Sequence, residues 1–200
     1  MLKKYLHIIP ILLLLPFFIY IVYMNIIVAS KQVVTNNHLY NISAEVSPEI
    51  KAIAQVLKSK SLHKNYDDYI IQSLLDYVTN IPYKENTSKA RKPIETINRN
   101  YGDCDDKSNL MSSLLTSLGY ENYIVLVPNH AFVIVYIKNK STKLKKKKSL
   151  IFNQKEFYIL ETTSKNSKIG FEIEYELQDI EAIVDPVNKV ILHIDNIDYK

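Results

Sequence analysis

Gly102-Asp103-Cys104-Asp105-Asp106-Lys107-Ser108 is the stretch on which the reading of this chain turns. Beyond it, Leu110, Met111, Leu114, Leu115 and Leu118 recur at the spacing of one helical face, and Gly119 follows where a left-handed residue commonly ends a helix. The pattern predicts an amphipathic helix with Cys104 in or just before its first turn. A thiol attacks only as its thiolate, and the unpaired N–H groups and dipole of a helix start favour that anion. Cys104 is the only cysteine among 200 residues, so an internal disulfide is excluded. Two fates remain for it, a buried structural thiol or a nucleophile. The flanking acids argue against burial, and they raise the thiol pKa wherever their carboxylates come close.

A nucleophilic cysteine needs a base, and the base needs a third group to fix its tautomer. Tyr123 to Val127 reads as a strand, Pro128-Asn129 as a turn, and Ala131 to Ile137 as a second strand with His130 at its opening. Further on, Phe157-Tyr158-Ile159-Leu160 forms a short apolar strand ending at Glu161-Thr162-Thr163. If these two strands are adjacent and antiparallel, Glu161 faces the imidazole. Cys104, His130 and Glu161 are therefore the candidate catalytic set. His193 lies in the last predicted strand and is a weaker candidate base, while Asn153 and Asp185 are alternative orienting groups. Asp103, Asp105 and Asp106 are oxygen donors of the kind hard cations take, but no Asp-x-Asp-x-Asp-Gly loop with a distal Glu surrounds them. They read as helix-capping acids, so neither a metal nor another cofactor is expected.

Gly102-Asp103-Cys104-Asp105-Asp106-Lys107-Ser108, the leucine-rich helix to Leu118-Gly119-Tyr120, and His130-Ala131-Phe132-Val133 together resemble the transglutaminase-like superfamily. The resemblance is closest to its small bacterial members, such as the bacterial transglutaminase-like cysteine proteinases. Ile81-Pro82-Tyr83 and Pro93-Ile94-Glu95-Thr96-Ile97 are similar to that family's approach to the cysteine, so the likeness runs roughly from Tyr69 to Thr163. It implies a papain-like fold in which a helix carrying the nucleophile packs on an antiparallel sheet carrying base and acid. It also implies acyl transfer from an amide, as proteolysis, deamidation or transamidation, with a protein or peptide as substrate. Two departures stand out. Glu161 occupies the place of the family's usual aspartate, and no tryptophan is present, which leaves Tyr83 or Tyr101 to substitute for the oxyanion-donating tryptophan of some members. The same residues also admit a second reading: a catalytically inactive domain of this fold used as a tethered binding or assembly module.

Ile8 to Val28 is a run of 21 residues without a charge, long enough for a transmembrane helix. Lys3 and Lys4 before it place the N-terminus in the cytoplasm and the remainder outside the cytoplasm. Signal-peptide cores are shorter, so residues 1–30 are read as an uncleaved membrane anchor. Residues 31–46 are read as a polar tether, and 47–200 as one catalytic domain large enough to bury a core without disulfides.

That domain is predicted to open at Ser47-Pro48-Glu49, an N-cap followed by proline, and to continue with a second helix over 67–79. Strands are predicted over 123–127, 131–137, 150–152, 157–161, 170–177 and 189–194. Helices first and strands later give an α+β class. Within 170–177, Phe171, Ile173, Tyr175 and Leu177 alternate with glutamates, the period of a half-exposed strand. Seven lysines lie between Lys138 and Lys148 and exceed the whole formal net charge of +4. So local a basic run is no nucleic-acid surface of the usual kind. It reads as a solvated hairpin loop between the His130 and Glu161 strands, with an anionic surface as its fitting contact.

Overall fold

The computed structural model describes residues 15–25, 42–63, 65–86, 89–194 and 197–200, which fall into two units, 1–37 and 38–200. In the first unit, 15–25 is a helix with its apolar side chains exposed. The rest of the Ile8–Val28 run lies outside the described residues. Among the described residues, no helix is long and apolar enough to cross a membrane.

The second unit is built in the predicted order. Helix α1 (Pro48–Lys60) starts where Ser47 Oγ accepts the Ile50 N–H at 3.3 Å and proline takes the first helical position. Helices α2 (Asp67–Asn80) and α3 (Pro93–Arg99) follow, then α4 (Cys104–Ser117), which Asp103 caps by accepting the Asp106 N–H at 3.1 Å. Gly119, at φ +83°, follows the end of α4. Seven antiparallel strands then form one sheet: β1 (Asn122–Val127), β2 (His130–Tyr136), β3 (Ser149–Phe152), β4 (Lys155–Leu160), β5 (Ala182–Asp185), β6 (Val190–Leu192) and β7 (Ile197–Tyr199). Their order across the sheet is β6-β5-β1-β2-β4-β3-β7.

Helix α4 is the centre of the fold, packing against α1, α2, α3, β1 and β2. The amphipathic reading captured only its apolar face. Lys107, Ser108, Asn109, Ser112 and Ser113 are buried as well, because neighbours surround the helix. Buried polar groups must find partners, and these do: Lys107 Nζ donates to Ile81 O at 2.8 Å, Ser108 Oγ to Ala131 O at 3.2 Å, and Ser112 Oγ to Asn122 Oδ1 at 2.5 Å. Leu110, Met111, Leu114 and Leu115 are inaccessible to solvent, each contributing about 1.5–3 kcal/mol by burial.

Three expectations are corrected. Residues 170–177 form no strand. Ile173 is buried on the outer face of the sheet, with Phe171, Tyr175 and Leu177 packed beside it, so the alternation comes from lying across strands rather than pairing with one. The lysine run is no hairpin between β2 and β4. It leads from β2 to the more distant strand β3 through a 3₁₀ turn (Thr142–Lys146), and β3 then turns back into β4. Finally, Ile42 is fully buried in the core, Ser43 N–H donates to Asn109 Oδ1 at 2.9 Å and Ala44 N–H to Pro186 O at 2.9 Å. The described end of the expected tether therefore belongs to the domain.

Candidate active site

His130 owes its place to a two-residue turn. Pro128 and Asn129, the latter at φ +58°, reverse the chain so that Val127 pairs with His130 and β2 begins at the histidine. Strand β4 runs antiparallel beside β2, with Val133 opposite Leu160, so the next residue, Glu161, comes alongside the start of β2. His130 Nε2 lies 2.7 Å from Glu161 Oε2. The other carboxylate oxygen accepts the Thr163 N–H at 2.7 Å and the Thr163 hydroxyl at 2.6 Å. Glu161 is only 5% exposed. Burial alone pushes its pKa up, but the hydrogen bond and charge of His130, with the two Thr163 donors, outweigh burial and hold the carboxyl below its ordinary value.

Cys104 reaches the same place from the helical side. Ser108, one turn further along α4, bonds Ala131 O and lies 3.4 Å from Thr162 Oγ1. That seats the helix start over the ends of β2 and β4. The Ala131 N–H, next to His130, acts on the thiol in the direction that favours the thiolate. With Nε2 taken by Glu161, Nδ1 is the imidazole nitrogen that remains. The helix start does not, however, make Cys104 a thiolate. Burial first, then the charges of Asp105 and Asp103, push the thiol up to about 12, despite the Ala131 and Asp105 N–H groups. Cys104 Sγ sits 3.9 Å from Asp105 Oδ1. The resting group is a thiol, not a thiolate.

The other acids are structural. Asp106 is fully buried; its oxygens accept the Arg91 backbone N–H at 2.6 Å and pair with the Arg91 guanidinium at 2.5 Å. Gly102 is required beside it, since an added Cβ would stand 2.8 Å from Asp106 Cβ. Among the described residues no group of His, Cys, Asp or Glu has metal-binding geometry. His193 is exposed just after edge strand β6, three strand positions from β2, and Asp185 is used by the turn at Val187 and Asn188. Asn153 sits in the turn between β3 and β4. None of the three replaces His130 or Glu161.

Two residues enlarge the site. Tyr83 is half exposed, bridged to Gly102, and close enough to Cys104 for the sulfur charge to raise its pKa after burial has done so. Tyr101 instead lies under Arg91 and Lys84, at 4.7 and 4.9 Å from its ring centre. Tyr175 was not anticipated. Its ring stacks on His130 at 6.0 Å with a 15° interplanar angle, and Tyr199 Oη donates to its carbonyl at 2.8 Å. The apolar alternation of 171–177 was the signal for it, misread as strand pairing. His130, Glu161, Ser164, Ile173 and Tyr175 line a cleft of 580 Å³.

A helix presenting a cysteine to an antiparallel sheet that carries a histidine and a buried carboxylate is the arrangement expected of a transglutaminase-like core. Residues 34–175, more than two thirds of the chain, match the transglutaminase-like domain family, and the chain belongs to it. A solved structure of a candidate cysteine protease from Cytophaga hutchinsonii is similar at a TM-score of 0.40 and 15% identity, over 60% of this chain and 46% of that one. The chain thus spans less than half the length of that protein. No curated protein matches significantly.

Proposed function

We propose that this domain is a cysteine enzyme acting on amide bonds of a protein or peptide, with Cys104 as nucleophile, His130 as general base and acid, and Glu161 orienting His130. The observation carrying this reading is the 2.7 Å contact between His130 Nε2 and Glu161 Oε2. An imidazole that donates its Nε2 proton to that carboxylate can take up a proton at Nδ1, as a base facing sulfur must. Because the resting thiol is held protonated, its proton passes to Nδ1 as sulfur attacks, not before. The S–C bond forms and the carbonyl oxygen takes the charge, stabilised by the Cys104 N–H at the helix start, where no intrahelical acceptor exists. The imidazolium then protonates the leaving amine, the C–N bond breaks and a thioester remains. Water gives hydrolysis and an amine gives transamidation, each losing its proton to His130 and restoring the thiol.

Incubating a mixture of unfolded polypeptides with the protein and with Cys104→Ala, then mapping new termini, deamidated side chains and isopeptide links by mass spectrometry, tests the reading and separates the three reactions. Products that survive in Cys104→Ala would overturn it. A thiol pushed up to about 12 favours the second reading, a non-catalytic tethered module; for that module the two samples give identical, unmodified polypeptides. We further propose that Ile8–Val28 anchors the domain outside the cytoplasm. Release of the protein into the soluble fraction by carbonate washing of membranes would contradict the anchor.

A further inference from the structure

The lysine-rich run does not enter the chemistry above, yet it adjoins the cleft lined by His130 and Glu161. Phe171 and Glu172 form the rim of that cleft and also line a second cavity, of 450 Å³, with Lys147, Lys148 and Lys168. Lys147 and Lys168 in turn line a third, of 240 Å³, with Lys143, Leu144, Tyr69 and Ile169. Shared lining residues put the three cavities side by side between His130 and the 3₁₀ turn.

The basic end is built, not a loose loop. Buried Asp68 accepts the Ser141 N–H at 2.9 Å and the Ser141 hydroxyl at 2.5 Å. Gln72 binds the opposite wall twice, accepting the Ile169 N–H at 3.1 Å and donating to Ser167 O at 3.0 Å. The Gly170 N–H donates to Ile159 O at 2.9 Å, tying that wall to β4 two residues before Glu161. Gly170 has φ +73°, and a Cβ there would stand 2.6 Å from Lys147 Cβ, so the two lysine-bearing segments meet where only glycine fits.

The charge of this end is mainly positive, with Glu172 on the side toward the cleft set against Lys143, Lys147, Lys148 and Lys168. Asp68 is spent on Ser141, and the nearest pair, Lys168 with Asp76 at 3.4 Å, is exposed on both sides and therefore weak. Lys148 is half-buried, with its ammonium 4.8 Å from the Tyr199 ring centre. Apolar Leu144 and Ile169 beneath exposed Lys143, Lys147 and Lys168 suit acidic side chains whose methylenes pack on the apolar floor while their carboxylates meet the ammonium groups.

We propose that this basic end is a secondary binding site for an acidic stretch of the polypeptide substrate, holding it while the amide to be attacked lies at Cys104. The inference rests on the acyl-transfer reading and adds the substrate class: polypeptides whose target amide is flanked at a distance by Asp or Glu. A surface patch for anionic lipid needs no wall in common with the cleft; this site shares Phe171 and Glu172 with it.

The test uses the full chain and its single thiol. Two bromoacetyl peptides of equal length, capped at either end, carry a Gly/Ser spacer followed by six glutamates or by six serines. Docking raises the effective concentration of the bromoacetyl group, so the glutamate peptide alkylates Cys104 about tenfold faster at low salt. The advantage disappears in Lys143→Gln/Lys147→Gln/Lys168→Gln and in about 0.5 M salt, while bromoacetamide reacts equally with both proteins. Equal peptide rates in the wild type would overturn the proposal, as would an advantage that persists in the triple variant. So would equal peptide rates together with phosphatidylglycerol vesicle binding that the triple variant loses, which would assign the patch to lipid. These outcomes leave the acyl-transfer reading intact, because that reading is tested by the Cys104→Ala and His130→Ala comparisons.

Discussion

His130 and Glu161 are joined through Nε2 and Oε2 at 2.7 Å, and the far oxygen of the same carboxylate is fixed by both donors of Thr163. The longer acid in place of aspartate is therefore held at both oxygens, with no freedom to turn from the ring. In Glu161→Gln, the amide oxygen is retained by the two Thr163 donors, which turns the NH₂ toward His130 Nε2. Nε2 must then accept, the ring proton moves to Nδ1, and the base is lost. Acylation of Cys104 by an activated ester should fall about 10³–10⁴-fold, with the folded state retained by circular dichroism. A loss under tenfold would show that Glu161 does not set the tautomer.

The same carboxyl links the site to acid stability. Its folded pKa is below the ordinary value of 4.5. As pH falls, the unfolded chain takes up this proton first. The stabilisation is thus complete above pH 4.5 and is lost as pH drops through the lower folded value. Melting temperatures of wild type and Glu161→Gln between pH 3 and 7 should differ by a constant amount above pH 5 and converge below it. A gap that widens on acidification would contradict the assignment.

Asp105 holds the thiol proton in place. It is the larger of the two charges that add to burial in pushing Cys104 up to about 12. Asp105→Asn removes that charge, lowers the thiol pKa and should raise the iodoacetamide alkylation rate at pH 7.5 by about three- to tenfold. An unchanged or slower rate would mean that the carboxylate does not act on sulfur.

Lys107 is 1% exposed, and burial lowers its pKa to about 8 from 10.5, against the raising effect of the Glu161 charge. The folded state sheds this proton before the unfolded state does. The penalty for the buried ammonium is therefore full below pH 8 and is relieved as pH rises from 8 toward 10.5. The stability of wild type relative to Lys107→Met, from urea unfolding at pH 7, 8, 9 and 10, should rise across that series. A flat difference would place the lysine's charge in water.

Much of this site is legible in the linear chain because each part depends on local chemistry. Asp103 caps its own helix, Pro128-Asn129 makes its own turn, and Glu161 follows an unbroken apolar run of the kind a buried strand shows. The remainder depends on what packs above. Polar residues of α4 look solvated until helices and sheet close around them, and Phe171, Ile173 and Tyr175 look like a strand until they are seen crossing one. Strands β5 and β7, of four and three residues, are too short to carry a period. The protonated thiol could not be read from a helix-start position, because burial of Cys104 depends on β2.

Intact-mass spectrometry of the protein mixed with p-nitrophenyl acetate at pH 7.5 tests the central claim most directly. The account predicts a single acetyl adduct, mapped to Cys104, that forms and then decays, is absent in Cys104→Ala and accumulates at least about 10²-fold more slowly in His130→Ala. An adduct on another residue, or one that forms on Cys104 equally fast without His130, would contradict it.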